Sequence, residues 1–373
     1  MLKQKLHRPD MFLFRVVGIL VVIGLIMIYS ASDIAAYQRY GSGFVIILKQ
    51  LLWSILGMIT LLLMIKVDYH KLQDISKFLL IASGILLVFV LTGVLGSSVR
   101  GAQRWIRLGP INFQPSELAR LCLIIYLADF IDRRQSKIKQ FNKGILPALI
   151  IMGIFSFLIL MERDLGSPIL IFGVGLVMLF VGGARLIHLS SLVLSSLPLL
   201  AIAIIKSPHR LQRLMIFLKV WSPEYFSAKD LAEGGYQLNQ SLITLGSGGF
   251  NGVGLGAGKQ KFFYLPDIHT DFIFPLIGEE LGFIGTSIII TLFILFIWRG
   301  TRIAVHAQDL FGSLLAYGIT FSIGLQAIIN IGVVTGCLPT KGVTLPFLSF
   351  GGSSLLCSLA GVGILLNISK QTK

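Results

Sequence analysis

Long apolar segments recur along the whole chain, and each is close to the roughly 20 residues that a helix needs to cross a bilayer. Segments that cross lipid must be helical here, because no water is present to satisfy backbone N–H and C=O groups. The sequence therefore predicts an all-α, polytopic integral membrane protein with a single transmembrane domain over residues 1–373. The ten predicted spans are 11–31, 44–66, 77–96, 114–131, 145–161, 166–183, 187–206, 271–298, 312–335 and 345–367.

The composition supports a membrane protein rather than a soluble protein with an anchor. Hydrophobic residues make up 55% of the chain and charged residues 13%, whereas a soluble domain carries roughly 25% charged residues. The net charge of +15 suits loops that face anionic lipid or an anionic ligand, and no nucleic-acid motif accompanies it. Cys122, Cys337 and Cys357 have no paired spacing, so neither a disulfide framework nor a metal site is expected.

The distribution of lysine and arginine predicts how the spans are oriented. With the N-terminus in the cytoplasm, most of these residues outside the longest polar segment fall in cytoplasmic segments, as the positive-inside rule requires. An even number of spans also places the C-terminus in the cytoplasm. The segment 207–270, between the seventh and eighth spans, then forms one large extracytoplasmic loop.

Ionisable residues are concentrated in the segment 264–282, where the eighth predicted span begins. Charged groups at the mouth of a membrane helix are costly and indicate a functional site. Thr270 is predicted to cap this helix, which would place Asp271 in its first turn, where the helix dipole favours the carboxylate. Asp271 is therefore a candidate general base, although the same spacing also fits a residue that only caps the helix. The ionisable residues are Asp267, His269, Asp271, Glu279 and Glu280.

A second group of charges lies in an extracytoplasmic loop, against the positive-inside rule. The loop carries three arginines, among them Arg100 and Arg104, around Trp105. They predict either a site for an anionic ligand or anchoring in the lipid headgroups. Just beyond, Glu117 and Arg120 are spaced i, i+3 and can pair on one helix face. That pair fits either a functional role or a purely structural one.

The segment 207–270 contributes further candidate cations to the extracytoplasmic side. Its glycine-rich run, 246–258, would let backbone amides approach an anion closely, and it would equally form a flexible linker. The run does not match a nucleotide phosphate loop. The candidate cations on either side of it are Arg210, Arg213, Lys259 and Lys261.

Several motifs, in order along nearly the whole chain, closely resemble those of the SEDS family (shape, elongation, division and sporulation proteins; FtsW, RodA and SpoVE). Within the family, the residues at 264–267, 235–238 and 339–342 look more like the division branch, FtsW, than RodA. The chain departs from the family pattern at Arg163, Arg120 and Phe350, where proline, lysine and tyrosine are usual. The motifs lie at 29–32, 101–106, 114–117, 164–166, 269–274, 278–282 and 345–354.

The resemblance implies a peptidoglycan glycosyltransferase that polymerises lipid II at the outer face of the cytoplasmic membrane, for septal wall synthesis in cell division. It implies Asp271 as the catalytic residue, with Trp105 and Glu117 in the functional set. It also implies a class B penicillin-binding protein as transpeptidase partner, alongside other division proteins and membrane lipids. The expected substrate-binding residues are Arg100, Arg104, Trp105, Glu117, Arg210, Arg213, Lys259, Lys261 and His269.

The mechanism that we expect is a single displacement. Asp271 removes the proton from an acceptor sugar hydroxyl, and the surrounding cations stabilise the departing lipid diphosphate. A divalent cation, Mg²⁺ or Mn²⁺, could share that duty, with Asp271 as its ligand instead of a base. The competing hypotheses are a lipid II flippase without chemistry, an elongation polymerase like RodA, and a non-catalytic scaffold.

Overall fold

The structure, a computed structural model, describes residues 8–93, 96–99, 102–108, 111–162, 164, 166–221, 235–259 and 268–372. Within these residues each of the ten predicted spans contains one helix, which confirms the all-α, polytopic fold. The ten helices are α1 (Met11–Tyr40), α2 (Phe44–Lys66), α4 (Ser76–Leu91), α5 (Pro115–Arg133), α6 (Leu146–Met161), α7 (Gly166–Val181), α8 (Leu186–Ile205), α11 (Ile273–Val305), α12 (Leu310–Val334) and α13 (Gly352–Lys370). Shorter helices are α3 (His70–Asp74), α9 (Pro208–Val220) and α10 (Tyr236–Ser247), of which the last two lie in the segment 207–270.

Most of these helices suit a membrane by length and composition. Among the described residues, six helices are long and apolar enough to cross a bilayer, and α4, α7 and α8 contain shorter apolar helical stretches. The exception is α5, which carries Glu117, Arg120 and Asp129, all of them buried. Because it packs against α4, α7, α12 and α13, its charged residues face protein rather than lipid.

A small antiparallel sheet between α4 and α5 is not predicted by the apolar pattern. It consists of β1 (Gly96–Val99), β2 (Ala102–Leu108) and β3 (Ile111–Phe113), in that order. Trp105 on β2 pairs with Ser97, and Arg107 pairs with Asn112. The sheet therefore occupies the loop in which the arginines cluster.

The centre of the bundle is α13, whose residues are almost all buried. Its closest approach is to α2, and glycines on both helices permit it. A Cβ atom at Gly363 would lie 2.6 Å from the backbone oxygen of Leu61, and one at Gly57 would lie 2.5 Å from Cδ1 of Leu359. Small residues let the two backbones approach each other closely. Such close packing drives helix association in membranes, because the hydrophobic effect does not favour helix contacts over lipid contacts there.

Two ends of the bundle are defined by contacts between distant parts of the chain. The backbone N–H of Asp10 donates to Oγ of Ser369 (3.0 Å), and Asp10 Oδ2 lies 2.6 Å from Nε of Arg299. The start of α1 therefore meets the last turns of α11 and α13, so both described termini lie at one end. The segments 268–272 and 342–351, which precede α11 and α13, lie at the opposite end.

Candidate active site

Asp271 lies in a turn, 268–272, immediately before α11. The predicted cap at Thr270 is wrong, because α11 begins at Ile273 and the residue before it is Phe272. No acidic residue occupies the first turn of the helix. The side chain of Asp271 is half-buried. Its carboxylate is thus just outside the helix and partly accessible from the end of the bundle opposite the termini.

The position of Asp271 is held by a buried amide on α12. Nδ2 of Asn330 donates to the backbone oxygen of Asp271 (2.8 Å) and to the backbone oxygen of Val343 (2.6 Å). One side chain therefore joins the turn before α11 to the segment 342–351. In a longer helix the carbonyl of Asp271 would meet Pro275, which has no N–H to donate, so the amide of Asn330 supplies the hydrogen bond that the helix cannot.

The side chain of Asp271 approaches the segment 342–351 at a glycine. A Cβ atom at Gly342 would lie 2.8 Å from Oδ2 of Asp271. A side chain at residue 342 would therefore have to displace this carboxylate oxygen. Gly342 thus lets the carboxylate lie against the backbone.

His269 makes a second connection between the same two segments. Its backbone oxygen accepts a hydrogen bond from the N–H of Phe350 (2.8 Å), and the two rings meet edge to face with centroids 5.8 Å apart. The predicted site residues His269 and Asp271 thus lie in one turn, and both contact the segment 342–351. The phenylalanine that departs from the family pattern takes part in this contact through its ring.

The segment 342–351 is not helical, although the tenth predicted span begins at residue 345. Oγ of Ser349 accepts from the N–H of Leu345 (2.8 Å), and Gln50 of α2 donates to the oxygen of Ser349 (3.5 Å). Phe347 adopts a φ of 67°, which is uncommon for an aromatic residue. Side-chain hydrogen bonds and buried rings hold this backbone in place of a helix, so α13 begins later, at Gly352.

Glu279 and Glu280 are buried in α11, two turns beyond its start. Oε1 of Glu279 accepts from the backbone N–H of Lys259 (2.8 Å), and Oε1 of Glu280 accepts from Oγ of Ser30 (2.6 Å). The helix is kinked just after them, at Gly282, with a φ of 66°. Both glutamates therefore join a polar network within the bundle.

The glycine-rich run packs closely against this kink. The N–H groups of Val253 and Gly254 donate to the backbone oxygens of Glu279 and Glu280 at 2.9 and 3.0 Å. A Cβ atom at Gly252 would collide with the oxygen of Glu280. The part of the run from 248 to 254 is thus a docked segment, and the amides of Gly252, Val253 and Gly254 are already used by protein carbonyls.

The sheet lies at the same end of the bundle as Asp271. The N–H of Gln114 donates to Oγ of Ser353 (2.8 Å), and that hydroxyl donates to the oxygen of Asn112 (3.3 Å), so the end of β3 is joined to the start of α13. Arg104 and Trp105 on β2 are half-buried. Two predicted substrate-binding residues are therefore held at this end by the sheet.

Arg104 also contacts a buried acidic residue at the end of α6. Its Nε donates to the backbone oxygen of Glu162 (3.0 Å). Both carboxyl oxygens of Glu162 are buried without a hydrogen-bond partner in the described part of the chain. Burial and the negative charge of Asp164 raise the pKa of Glu162 to about 8, against the opposing charge of Arg104. This group is therefore largely protonated at neutral pH.

Glu117 and Arg120 form the expected pair on α5. Nη2 of Arg120 lies 2.6 Å from Oε2 of Glu117, and the residues are 6% and 8% exposed. They line a cavity of about 20 Å³ together with Cys357 on α13. That volume holds a single water molecule and not a sugar.

The predicted cations are placed at different positions around the site. Nη1 of Arg213 donates to the oxygen of Thr340 (3.3 Å), two residues before Gly342. The side chain of Lys259 is exposed, and its backbone binds Glu279. Arg100 and Lys261 lie outside the described residues, as does the side chain of Arg210.

The described residues do not form a metal cage from protein side chains alone. Hard cations such as Mg²⁺ and Mn²⁺ need several oxygen ligands. No group of three histidine, cysteine or acidic side chains with metal-binding geometry occurs in the described ranges. A divalent cation shared between Asp271 and a substrate diphosphate would need only one or two protein carboxylates, and the mechanism below is written for the residues of the chain alone.

Three residues of the site are missing from the sequence-based prediction: Asn330, Gly342 and Gln50. Asn330 and Gln50 could have been noticed in the sequence, because an amide side chain inside an apolar span is costly unless it has a hydrogen-bond partner. Gly342 left no such signal, since its role depends on the approach of a side chain far away in the sequence.

The fold and the site together define a class: a multi-pass membrane protein with a carboxylate held at the end of the bundle opposite the termini. The FTSW_RODA_SPOVE family model, described as cell cycle protein, matches residues 10–373. The chain belongs to that family, and the resemblance inferred from its motifs is confirmed.

Two curated relatives match over almost the whole chain. The chain is 42% identical over 370 residues to the probable peptidoglycan glycosyltransferase FtsW of Geobacter sp. (strain M18), covering 99% of each protein. It is 42% identical over 365 residues to the stage V sporulation protein E of Bacillus subtilis (strain 168), covering 98% of each.

Solved structures share the fold. The rod shape determining protein RodA of Thermus thermophilus superimposes with a TM-score of 0.71 at 29% identity, covering 98% of this chain and 97% of RodA. A chain of a peptidoglycan synthase complex, described as coordinating polymerization and crosslinking, superimposes with a TM-score of 0.80 at 28% identity, covering 97% of each chain.

Proposed function

We propose that this chain is a peptidoglycan glycosyltransferase that polymerises lipid II at the outer face of the cytoplasmic membrane, in septal wall synthesis. The relatives named as such at about 40% identity support the activity. The observation that carries the proposal is the position of Asp271, a half-exposed carboxylate joined through Asn330 to the segment 342–351.

Asp271 serves as the general base. It accepts the proton of an acceptor sugar hydroxyl, and the hydroxyl oxygen attacks the anomeric carbon of the lipid-linked donor. The bond between that carbon and the pyrophosphate oxygen breaks, and the lipid diphosphate leaves with the electron pair. One displacement from the opposite face inverts the anomeric configuration.

The departing diphosphate requires cations, because its negative charge develops as the bond breaks. Arg213 is suited to this role, since its guanidinium donates to the backbone oxygen of Thr340, two residues before Gly342. The sheet holds Arg104 and Trp105 at the same end of the bundle as Asp271. We assign His269 and Lys259 to the same substrate-binding set. Arg100, Arg210 and Lys261 remain candidates from the sequence. Glu117 is buried against Arg120 beside a cavity too small for a sugar, so its proposed part is to hold α5 in place and not to contact the substrate.

The orientation that we propose places both termini in the cytoplasm and Asp271 outside. The contact between Asp10 and Ser369 supports a common side for the termini. Arg8, Arg299 and Arg302 lie around that contact, which agrees with the positive-inside rule.

The partner that we propose is a class B penicillin-binding protein, which cross-links the strands that this chain polymerises. The structural relative belongs to a complex described as coupling polymerization and crosslinking. Other division proteins would recruit the pair to the septum.

The test is polymerisation of fluorescent lipid II by the purified full-length chain, alone and with its transpeptidase partner. Asp271→Asn and Asp271→Ala should lower glycan synthesis by about a hundredfold or more, since general-base catalysis contributes about 10² to 10⁴. Asp74→Asn removes an exposed carboxylate at the end where the termini lie and is the matched control. Undiminished polymer from both Asp271 variants would refute the base assignment.

A lipid II flippase is the second candidate function. The buried Glu117–Arg120 pair favours it, because ionised groups at membrane depth are typical of translocation pathways. A flippase would move labelled lipid II between leaflets of vesicles and yield no polymer in the same assay.

A further inference from the structure

A cavity of about 480 Å³ opens at the end of the bundle where the termini lie, far from Asp271. It lies between the start of α1, the last turn of α11 and the end of α13. Its charged and titratable lining comes from Arg8, Asp10, Arg299, Arg302 and His306, with the hydroxyl groups of Ser369 and Thr372 beside them. None of these residues takes part in the proposed reaction.

The lining has an excess of positive charge. Asp10 is its one acidic residue, and it is engaged with Arg299 at 2.6 Å. Arg8 and Arg302 are exposed and form no ion pair with any residue that the structure describes. His306 directs its Nδ1 to the backbone oxygen of Arg302 (2.8 Å), which leaves Nε2 for another partner. Two guanidinium groups thus face the cavity without a counter-charge from the described chain.

Aromatic residues at the rim place the cavity at the level of the lipid headgroups. Phe12 and Trp298 meet edge to face, with ring centroids 6.4 Å apart, and are 41% and 51% exposed. The guanidinium of Arg299 lies over both rings. Exposed tryptophan at the end of a membrane helix is typical of the interface between hydrocarbon and water. The arginines are therefore at the depth of lipid phosphates.

We propose that this cavity binds the phosphate group of an anionic phospholipid from the leaflet that faces the two termini. Basic pockets between membrane helices on this side recognise such headgroups, and guanidinium groups bind phosphate oxygens in a bidentate manner. The first turn of α1 also lines the cavity, and the N-terminus of a helix favours an anion. The bound phosphate bridges Arg8 before α1 and Arg302 in the last turn of α11.

Binding is measured with the full-length protein in a neutral detergent, titrated with short-chain phosphatidylglycerol or, for comparison, short-chain phosphatidylcholine. The double variant Arg8→Gln/Arg302→Gln should weaken phosphatidylglycerol binding by about thirtyfold, given the contribution of each basic residue near an anionic surface. Arg185→Gln/Lys139→Gln removes the same charge from exposed positions outside the cavity and is the matched control. Equal affinities of the two double variants would overturn the proposal.

A competition arm identifies the carrier of the phosphate. If inorganic phosphate at millimolar concentration does not displace the lipid, the site recognises a lipid headgroup, as proposed. If it displaces the lipid from the wild-type protein, the cavity is a phosphate site but the assignment to lipid is overturned. Phosphatidylcholine binding as tightly as phosphatidylglycerol would also overturn it, because net charge would then play no part.

Asp10→Asn provides a test of opposite sign. Asparagine caps a helix about as well as aspartate, so α1 should keep its hydrogen bond from Leu13 to residue 10. Arg299 would lose its carboxylate partner and become available to the phosphate. Phosphatidylglycerol should therefore bind several-fold more tightly, and weaker binding to a folded variant would contradict the electrostatic account.

Discussion

The amide group of Asn330 on α12 bonds the backbone oxygen of Asp271 at 2.8 Å, and with the same nitrogen it bonds the oxygen of Val343. The proposed base is thus not positioned by its own helix. It is positioned by a side chain 59 residues away in the chain, which holds two non-helical segments together.

Asn330→Ala should therefore reduce polymerisation strongly. Loss of the amide frees both segments, and a displacement of about 1 Å at a catalytic group can cost about a hundredfold in rate. Because the effect is on positioning, kcat should fall while KM for lipid II changes little. Steady-state kinetics of lipid II polymerisation measure this split.

Asn367→Ala is the matched control for that variant. Asn367 is also a buried asparagine that bonds backbone groups, donating to Ile65 and accepting from Tyr69, but at the other end of the bundle. Both variants should lose about 1–3 kcal/mol of stability, and only Asn330→Ala should lose turnover. Equal activity in the two variants would show that Asn330 has no positioning role.

Gly342→Ala should impair the reaction without unfolding the protein. The added Cβ would lie 2.8 Å from Oδ2 of Asp271, closer than carbon and oxygen tolerate, so the carboxylate must rotate away. We expect kcat to fall about tenfold or more. Gly246→Ala on α10 adds the same atom where nothing lies within 4 Å, and it should leave activity intact.

Glu162→Gln should make stability less dependent on pH. The folded pKa of about 8 lies above the ordinary value of 4.5, so the native state holds a proton that the unfolded state releases. The wild-type protein therefore loses stability as pH rises from about 4.5 to 8, and glutamine does not. The advantage of the variant should grow by about 1–3 kcal/mol between pH 6 and pH 8.

Thermal midpoints in detergent across this pH range measure the effect, with pH itself as the control. Near pH 5 both side chains are neutral, and the two proteins should melt almost together. A midpoint difference that does not change with pH would mean that the carboxyl group of Glu162 is not protonated in the folded state.

Gly252→Ala should destabilise the protein more than Gly249→Ala. Both glycines have a positive φ, 81° and 57°, so alanine is strained at either position by about 1–2 kcal/mol. At Gly252 the Cβ also collides with the backbone oxygen of Glu280, whereas at Gly249 nothing lies within 4 Å. The thermal midpoint should fall further for Gly252→Ala than for Gly249→Ala. Equal losses would mean that the glycine-rich run does not dock on α11.

The helices could be predicted because their causes are local, and Asp271 stays a prediction that rests on equally local reasoning. A run of about 20 apolar residues has to be helical in lipid wherever it lies, and each of the ten predicted spans does contain a helix. Asp271 stands out because a carboxylate beside an apolar run is costly without a function. The pairing of Glu117 with Arg120 follows equally from their i, i+3 spacing.

Local and tertiary causes together decided the rest. Pro275 has no N–H to bond the carbonyl of Asp271, so α11 does not extend back to that residue, and Asn330 bonds the carbonyl instead. Gln50 and Ser349 bond the backbone of the non-helical segment 345–351. The glycine-rich run is equally compatible with a linker and with an anion cradle until Glu279 and Glu280 supply the carbonyls on which it docks.

The amino-acid sequence by itself determined the membrane class and the helices of the ten predicted spans, and it singled out Asp271 as the candidate base, because hydropathy and charge act over short distances along the chain. Only the tertiary structure decided where that acid points and what holds it. Those properties arise from contacts between residues tens to hundreds of positions apart, and no local pattern encodes the approach of Gly342 to Asp271.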